Sequence, residues 1–403
     1  MKKFLTNPLL VLSSLTLISI FTGSMIAPIE SRFLTQITGS SSYASFAFTI
    51  ATFASILGTL WLSRLANKVG RDKVIHTAFI ISAFFPLLYS FTQNTFQAYG
   101  IKFAWAFAAA GTGTVLRAFI QEEVSVFKGK EGTFYGIIYS LQSGAGAVGS
   151  IFGGIISDKF GFFSVFRVVF IISLLQALIL IILFRTNRSK GDDVKEAKQK
   201  GSFREGVKYI WINKILRARF ILVTVFGINW STKVILYPLI LFALSGLDSF
   251  TGAVFSVQGI TALIVLPIIG KIVDKVGYSK VLKVGYFCLG LGVLTLALTP
   301  YVWLIWVAAA TVAAGEACNG PGMSKLETIN IPNYLRNSVV AVQDVYTTVV
   351  ELFSTFLTGI MLAFLQPRVI MFIMGVLIFI SLAMSTFIMR NTKVTNDISV
   401  HVK

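Results

Sequence analysis

Apolar residues run along this chain in twelve blocks, at 8–30, 42–63, 74–92, 96–120, 134–157, 162–184, 218–243, 249–270, 280–299, 302–324, 338–364 and 368–389. A helix of about 20 apolar residues crosses the hydrocarbon core of a bilayer, and a lone segment in lipid must satisfy its own backbone. Each block therefore predicts a membrane-spanning helix. The first, MKKFLTNPLLVLSSLTLISIF, starts like a signal peptide. Its apolar stretch is too long for one, and no small-residue cleavage site follows, so it is read as the first span. One long polar interruption, Arg185 to Arg219, separates six blocks from six. The expectation is an all-α integral membrane protein: an N-terminal six-helix half at 1–184, a linker at 185–217, a C-terminal six-helix half at 218–390 and a tail at 391–403. The linker is read to hold a short amphipathic helix near Phe203 to Leu216.

The two halves repeat. SRLANKVGRDKV, from Ser63, returns as GKIVDKVGYSKV from Gly270, so that Lys68, Gly70 and Lys73 match Lys275, Gly277 and Lys280. Pro28 matches Pro238, Arg117 matches Lys325, and Gly153 matches Gly359. Two parallel six-helix copies place a substrate path between them.

A hydrophobic content of 55% with 13% charged residues and a mean hydropathy of +0.79 excludes an ordinary soluble domain. The net charge of +18 would suggest nucleic acid in a soluble protein. Here the cations fall on alternate loops. Of the 35 Lys and Arg, only Arg32, Lys102, Lys159, Arg167 and Arg368 are assigned to the opposite side, and Lys233 stands inside a span. That asymmetry predicts both termini in the cytoplasm, a multi-pass plasma-membrane protein, and a charge directed at lipid headgroups rather than nucleic acid. Cys288 and Cys318 lie in apolar blocks, which argues against a disulfide framework or a metal cluster. No G-x-x-x-x-G-K-[ST], HExxH or G-x-S-x-G sequence occurs. Neither an enzyme nor a cofactor is expected.

Two six-span halves, a long linker and a basic G-x-x-x-D-[RK]-x-G stretch after the second span of each half resemble the major facilitator superfamily. Gly270, Asp274, Lys275 and Gly277 carry the pattern in the second copy. The first keeps Lys68, Gly70, Arg71 and Lys73 but has Ser63 and Asn67 in place of the glycine and aspartate. The resemblance implies that these loops latch the halves on the cytoplasmic side, their cations pairing with acids such as Glu122, Glu123 and Glu327. Exposed pairs, worth about 0–1 kcal/mol each, suit a latch that opens every cycle. A purely topological positive loop is the other reading. The GAVGSIFGG run resembles the glycine-rich fifth span of drug/proton antiporters, with Ser150 where that pattern has proline. The spacing of Gly149 and Gly153 equally fits close helix packing.

Ionisable residues inside spans are retained for function or paired. Glu316, in the span that resemblance puts beside the central cavity, is the first candidate for proton coupling, with Gly315, Gly320, Pro321 and Gly322 expected to loosen the helix around it. The alternative is a fixed pair with Lys233. Glu351 and Asp344 share a face with Thr347, Thr348, Ser354, Thr355 and Thr358, either a proton relay or a polar seam between helices. Glu30, beyond Pro28, is a further coupling candidate or an interfacial carboxylate. Phe226, Trp230, Lys233 and Tyr237 form one helical stripe that offers an aromatic wall with a single cation. Gln142 and Asn319 are candidate hydrogen-bond partners for a substrate. The expected protein is a monomeric secondary transporter that exports an amphipathic compound by alternating access, coupled to protons. A proton symporter for an anionic metabolite or sugar, and a non-transporting receptor or scaffold, stay open.

Overall fold

The computed structural model describes residues 8–125, 131–186 and 203–390. Fourteen helices occupy them. In chain order they are α1 (Pro8–Ile26), α2 (Glu30–Thr38), α3 (Ser41–Val69), α4 (Arg71–Tyr89), α5 (Thr95–Ser125), α6 (Glu131–Phe160), α7 (Phe162–Thr186), α8 (Phe203–Ile212), α9 (Lys214–Ser245), α10 (Asp248–Val276), α11 (Tyr278–Leu298), α12 (Val302–Asn330), α13 (Asn333–Leu362) and α14 (Pro367–Arg390). Two are short. α2 continues the first span, and α8 lies in the linker; the other twelve correspond to the twelve blocks. Among the described residues, eight helices are long and apolar enough to cross a membrane, and the pair Ser14–Ile26 with Glu30–Thr38, bent by 46°, makes a ninth.

The first span is therefore not one helix. It breaks between Ile26 and Glu30, around Pro28, which has no N–H to donate and cannot continue the ladder. Pro238, its counterpart in the repeat, sits inside an unbroken α9. The basic stretches also differ from expectation. They are not loops between spans, because helix continues through the charged residues on both sides of a single glycine. Gly70 joins α3 to α4 at φ 98°, and Gly277 joins α10 to α11 at φ 88°. Backbone of that hand favours a residue without Cβ. Hydropathy ends where the apolar environment ends, whereas the helix persists into polar surroundings. Residues 187–202 and the tail at 391–403 lie outside the described residues.

Two extensive contacts, with a smaller one of α2 on α9, join the helices before the linker to those after it. α6 packs along α10, and α13 packs along α3. Each follows from small residues. A Cβ on Gly252 or Gly259 would strike the backbone of Ser150 or Ser143, and one on Gly154 would strike Asp248 and Ser249. At Gly359 a Cβ would come within 3.3 Å of Ser45 and 3.2 Å of Phe46. Ser42 and Ser45 then donate across the seam to the carbonyls of Gly359 and Thr355, at 2.6 and 2.9 Å. Gly149 and Gly153 do the same for α6 on α1, where a Cβ would overlap the Phe21 and Met25 carbonyls. Close packing thus accounts for these two glycines.

Candidate functional site

α9 and α12 carry the central feature. Lys233 and Glu316 stand near the middle of their helices. The Lys233 ammonium lies 2.8 Å from both Glu316 carboxylate oxygens. Their side chains are 7% and 13% exposed, so the pair is largely desolvated. Asn229, one turn before Lys233, donates to Glu316 Oε1 at 3.4 Å. The Trp230 ring centroid is 4.8 Å from the lysine nitrogen, and Phe226 stacks on Trp230 at 6.3 Å with a 15° interplanar angle. Trp230 is exposed. The arrangement is an ion pair with an aromatic wall on one side. In it the carboxylate and the ammonium are each other's partner.

The glycines around Glu316 do not loosen α12, which runs unbroken through Pro321. A Cβ on Gly315 would come within 2.6 Å of the Gly285 carbonyl oxygen, and one on Gly322 within 2.7 Å of the Leu282 side chain. Both serve the packing of α12 on α11. Asn319 is occupied locally, its Oδ1 accepting from Tyr286 Oη at 2.9 Å. Tyr237 is buried against Phe255, 5.9 Å between rings. Gln142 is half-buried on α6.

A second buried pair was not anticipated. Lys102, counted by charge with the opposite side, lies within α5 and pairs with Glu30 at the start of α2. The two side chains are 13% and 12% exposed, and the lysine nitrogen sits 4.9 Å from the Phe48 ring. Assigning cations to loops by sequence position hid this partner. Its flanks, Ile101 and Phe103, were the available signal.

The end of the bundle where α2 and α10 begin is tied shut. Arg32 of α2 pairs with Asp248 of α10 and lies over the Phe242 ring of α9. Ser157 of α6 donates to the other Asp248 oxygen at 2.8 Å. The Asp158 carboxylate accepts from the backbone N–H of Asp248 and Ser249, at 2.7 and 2.8 Å, and so caps α10. Acids there also complement the positive helix terminus. At the opposite end, Asp274 meets Lys325 at 2.7 Å, an exposed pair within the later helices. Glu327, expected beside the basic loops, instead binds the fully buried Arg219, which also reaches Gln343. Lys68, Lys73 and Lys275 are exposed. The side chains of Asn67, Arg71, Arg117, Glu122 and Glu123 lie outside the described residues.

The family model described as Major Facilitator Superfamily matches residues 12–350 and 249–400. The chain belongs to the Major Facilitator Superfamily. It is therefore a multi-pass membrane transporter of a small molecule and not an enzyme. The multidrug resistance protein MdtG of Dickeya zeae is 22% identical over 322 residues, 76% of each chain. MdtG of Proteus mirabilis is 25% identical over 295 residues, 72% of this chain and 71% of that one. Among solved structures, a mutant form of the nucleoside transporter NupG superimposes with a TM-score of 0.76 at 14% identity, covering 95% of this chain and all of that one. A bacterial homologue of the lysosomal transporter Spinster, inward-facing and unoccupied, gives 0.73 at 15% identity over 97% and 98% of the two chains.

Within this superfamily fold, the polar stripe of α13 divides in two. Ser354, Thr355 and Thr358 are buried, the Thr355 carbonyl accepts from Ser45 of α3, and the hydroxyls of Thr355 and Thr358 return to carbonyls of their own helix. That part is an inter-helix seam. Glu351 is half-buried and Asp344 exposed, further along the helix toward the basic loops.

Proposed function

We propose that this superfamily member exports amphipathic small molecules from the cytoplasm in exchange for protons, by alternating access between α1–α7 and α9–α14. The observation that carries the reading is the desolvated Lys233–Glu316 pair beside Trp230. A proton on either Glu316 oxygen removes the charge that holds Lys233. An amphipathic cation stacked on Trp230 and Phe226 does the same by taking Lys233's place. Proton and substrate thus compete for one carboxylate, and that competition is what couples them. Moving one charge through the membrane potential supplies about 2.3 kcal/mol per 100 mV, enough to bias the cycle. The names of the MdtG relatives support a drug-like substrate.

The cation asymmetry supports a plasma-membrane protein with both termini cytoplasmic. In that orientation the Arg32–Asp248 end faces outward. Its closure supports an inward-facing state, with Arg32, Ser157, Asp158 and Asp248 as the outer gate and the Gly70 and Gly277 corners as the inner one. The protein acts as a monomer in this account, since each chain carries its own pair. Glu351 and Asp344 are secondary coupling candidates, whereas Glu30 is held by Lys102. A second reading, proton symport of an anionic metabolite, has one observation in its favour: protonating Glu316 frees Lys233 as an anion anchor. The two readings separate on Lys233→Ala, which under symport weakens anion binding more than cation binding.

The test uses ethidium, a planar amphipathic cation, in proteoliposomes with an imposed pH gradient. The wild type is expected to accumulate ethidium against its gradient, and Glu316→Gln to lose that accumulation by about tenfold or more. Undiminished gradient-driven accumulation in Glu316→Gln would remove the pair from coupling.

A further inference from the structure

The linker helix α8 is fastened to the bundle on one face only. Gly206 and Ile210 are buried, with Ile210 in the main hydrophobic core. Tyr209 donates its hydroxyl to the carbonyl of Asn330, the last residue of α12, at 2.8 Å. Asn213 then caps α9 by accepting from Ile215 and Leu216 N–H groups at 3.0 and 3.2 Å. These bonds fix α8 at the level where two membrane-spanning helices, α9 and α12, end. That level is the bilayer interface.

The opposite face is a stripe at i, i+3, i+4 and i+7: Arg204, Val207, Lys208 and Trp211, all exposed, with Trp211 at 74%. Two cations alternate with two apolar groups, one of them the aromatic type that favours the headgroup level. Lys214 and Arg217, exposed in the first turn of α9, bring the cations at this corner to four. A water-facing stripe has no use for an exposed tryptophan and valine between cations. A stripe buried in acyl chains would not hold Arg204 and Lys208. The combination fits a surface that is negative above and apolar below.

We propose that α8 and the first turn of α9 form a binding site for anionic phospholipid headgroups. Arg204, Lys208, Lys214 and Arg217 contact the phosphates, and Val207 and Trp211 enter the upper acyl region. The site does not depend on which substrate is carried or on how it is coupled.

Native mass spectrometry of the full-length protein in detergent, titrated with phosphatidylglycerol or phosphatidylcholine, tests this. The wild type should retain phosphatidylglycerol preferentially. Arg204→Gln with Lys208→Gln should weaken that binding about fivefold per cation and leave phosphatidylcholine unchanged. Equal retention of both lipids by the wild type, or unaltered phosphatidylglycerol binding in the variant, would overturn the proposal. A second measurement needs no change of charge. In proteoliposomes, brominated phosphatidylglycerol should quench the emission lost in Trp211→Phe; an unquenched Trp211 component would place the stripe in water and refute the site.

Discussion

The Glu30–Lys102 and Lys233–Glu316 pairs stand on equivalent helices of the repeat, yet they are not equivalent. In the first copy the acid is on the first span and the base on the fourth, Glu30 with Lys102. In the second the base is on the first span of the copy and the acid on the fourth, Lys233 with Glu316. Their depth differs too. Glu30 lies two residues beyond Pro28, and Lys233 five residues before the matching Pro238. At 1.5 Å per residue this offsets the pairs by roughly 10 Å along the helix axis. The repeat has kept which helices meet and has changed sign and height. Glu30 and Lys102 sit toward the closed end, beside the break between α1 and α2. Lys233 and Glu316 sit mid-bundle beside an exposed tryptophan. On the proposed function, the first pair holds helices together and the second meets the ligand.

That contrast can be broken by unpairing each in turn. Removing one partner of a desolvated pair leaves an uncompensated charge, at a cost of about 3–5 kcal/mol. Lys233→Ala and Lys102→Ala should both lose stability in that range in SDS unfolding titrations. Combining Lys233→Met with Glu316→Leu should recover most of it, because apolar replacement of a whole pair is close to neutral. The pairs should then part company in transport. Glu30→Gln is expected to keep pH-gradient-driven ethidium accumulation within about a factor of two of wild type, where Glu316→Gln loses it. Equal loss in both would make the pairs functionally alike. The smallest effect belongs to the exposed Asp274–Lys325 pair. Lys325→Ala should shift unfolding by about 0–1 kcal/mol, less still at high salt.

Much of the architecture was legible because lipid enforces it. Twelve apolar blocks became twelve long helices, and Gly70 and Gly277, matched across the repeat, stand at the corners where positive φ favours glycine. The helix ends were less legible. Hydropathy reports the environment of a residue, so α3 outran its block by six residues, to Val69. The break at Pro28 and the continuity at Pro238 could not be told apart, since proline permits either where neighbouring helices restore the lost bond. In the site, Lys233 and Glu316 stood out as isolated charges in apolar sequence, and the alternative that they pair with each other is what the structure shows. Lys102 did not stand out, because counting cations by loop placed it outside the membrane. Arg32 counts only among the cations of the opposite side, and no sequence signal singles out Asp158 or Asp248. Their role as a clasp exists only once α2, α6 and α10 are brought together across the linker.

The account rests on proton and substrate competing for Glu316, and the most direct measurement is proton release on binding. Detergent-solubilised wild-type protein, preset to a pH at which the site is protonated in weak buffer with a pH indicator, should release about one proton per ethidium bound, and Glu316→Gln should bind ethidium more weakly and release none. Binding by the wild type with no proton released at any pH where binding occurs, or undiminished release in Glu316→Gln, would contradict it.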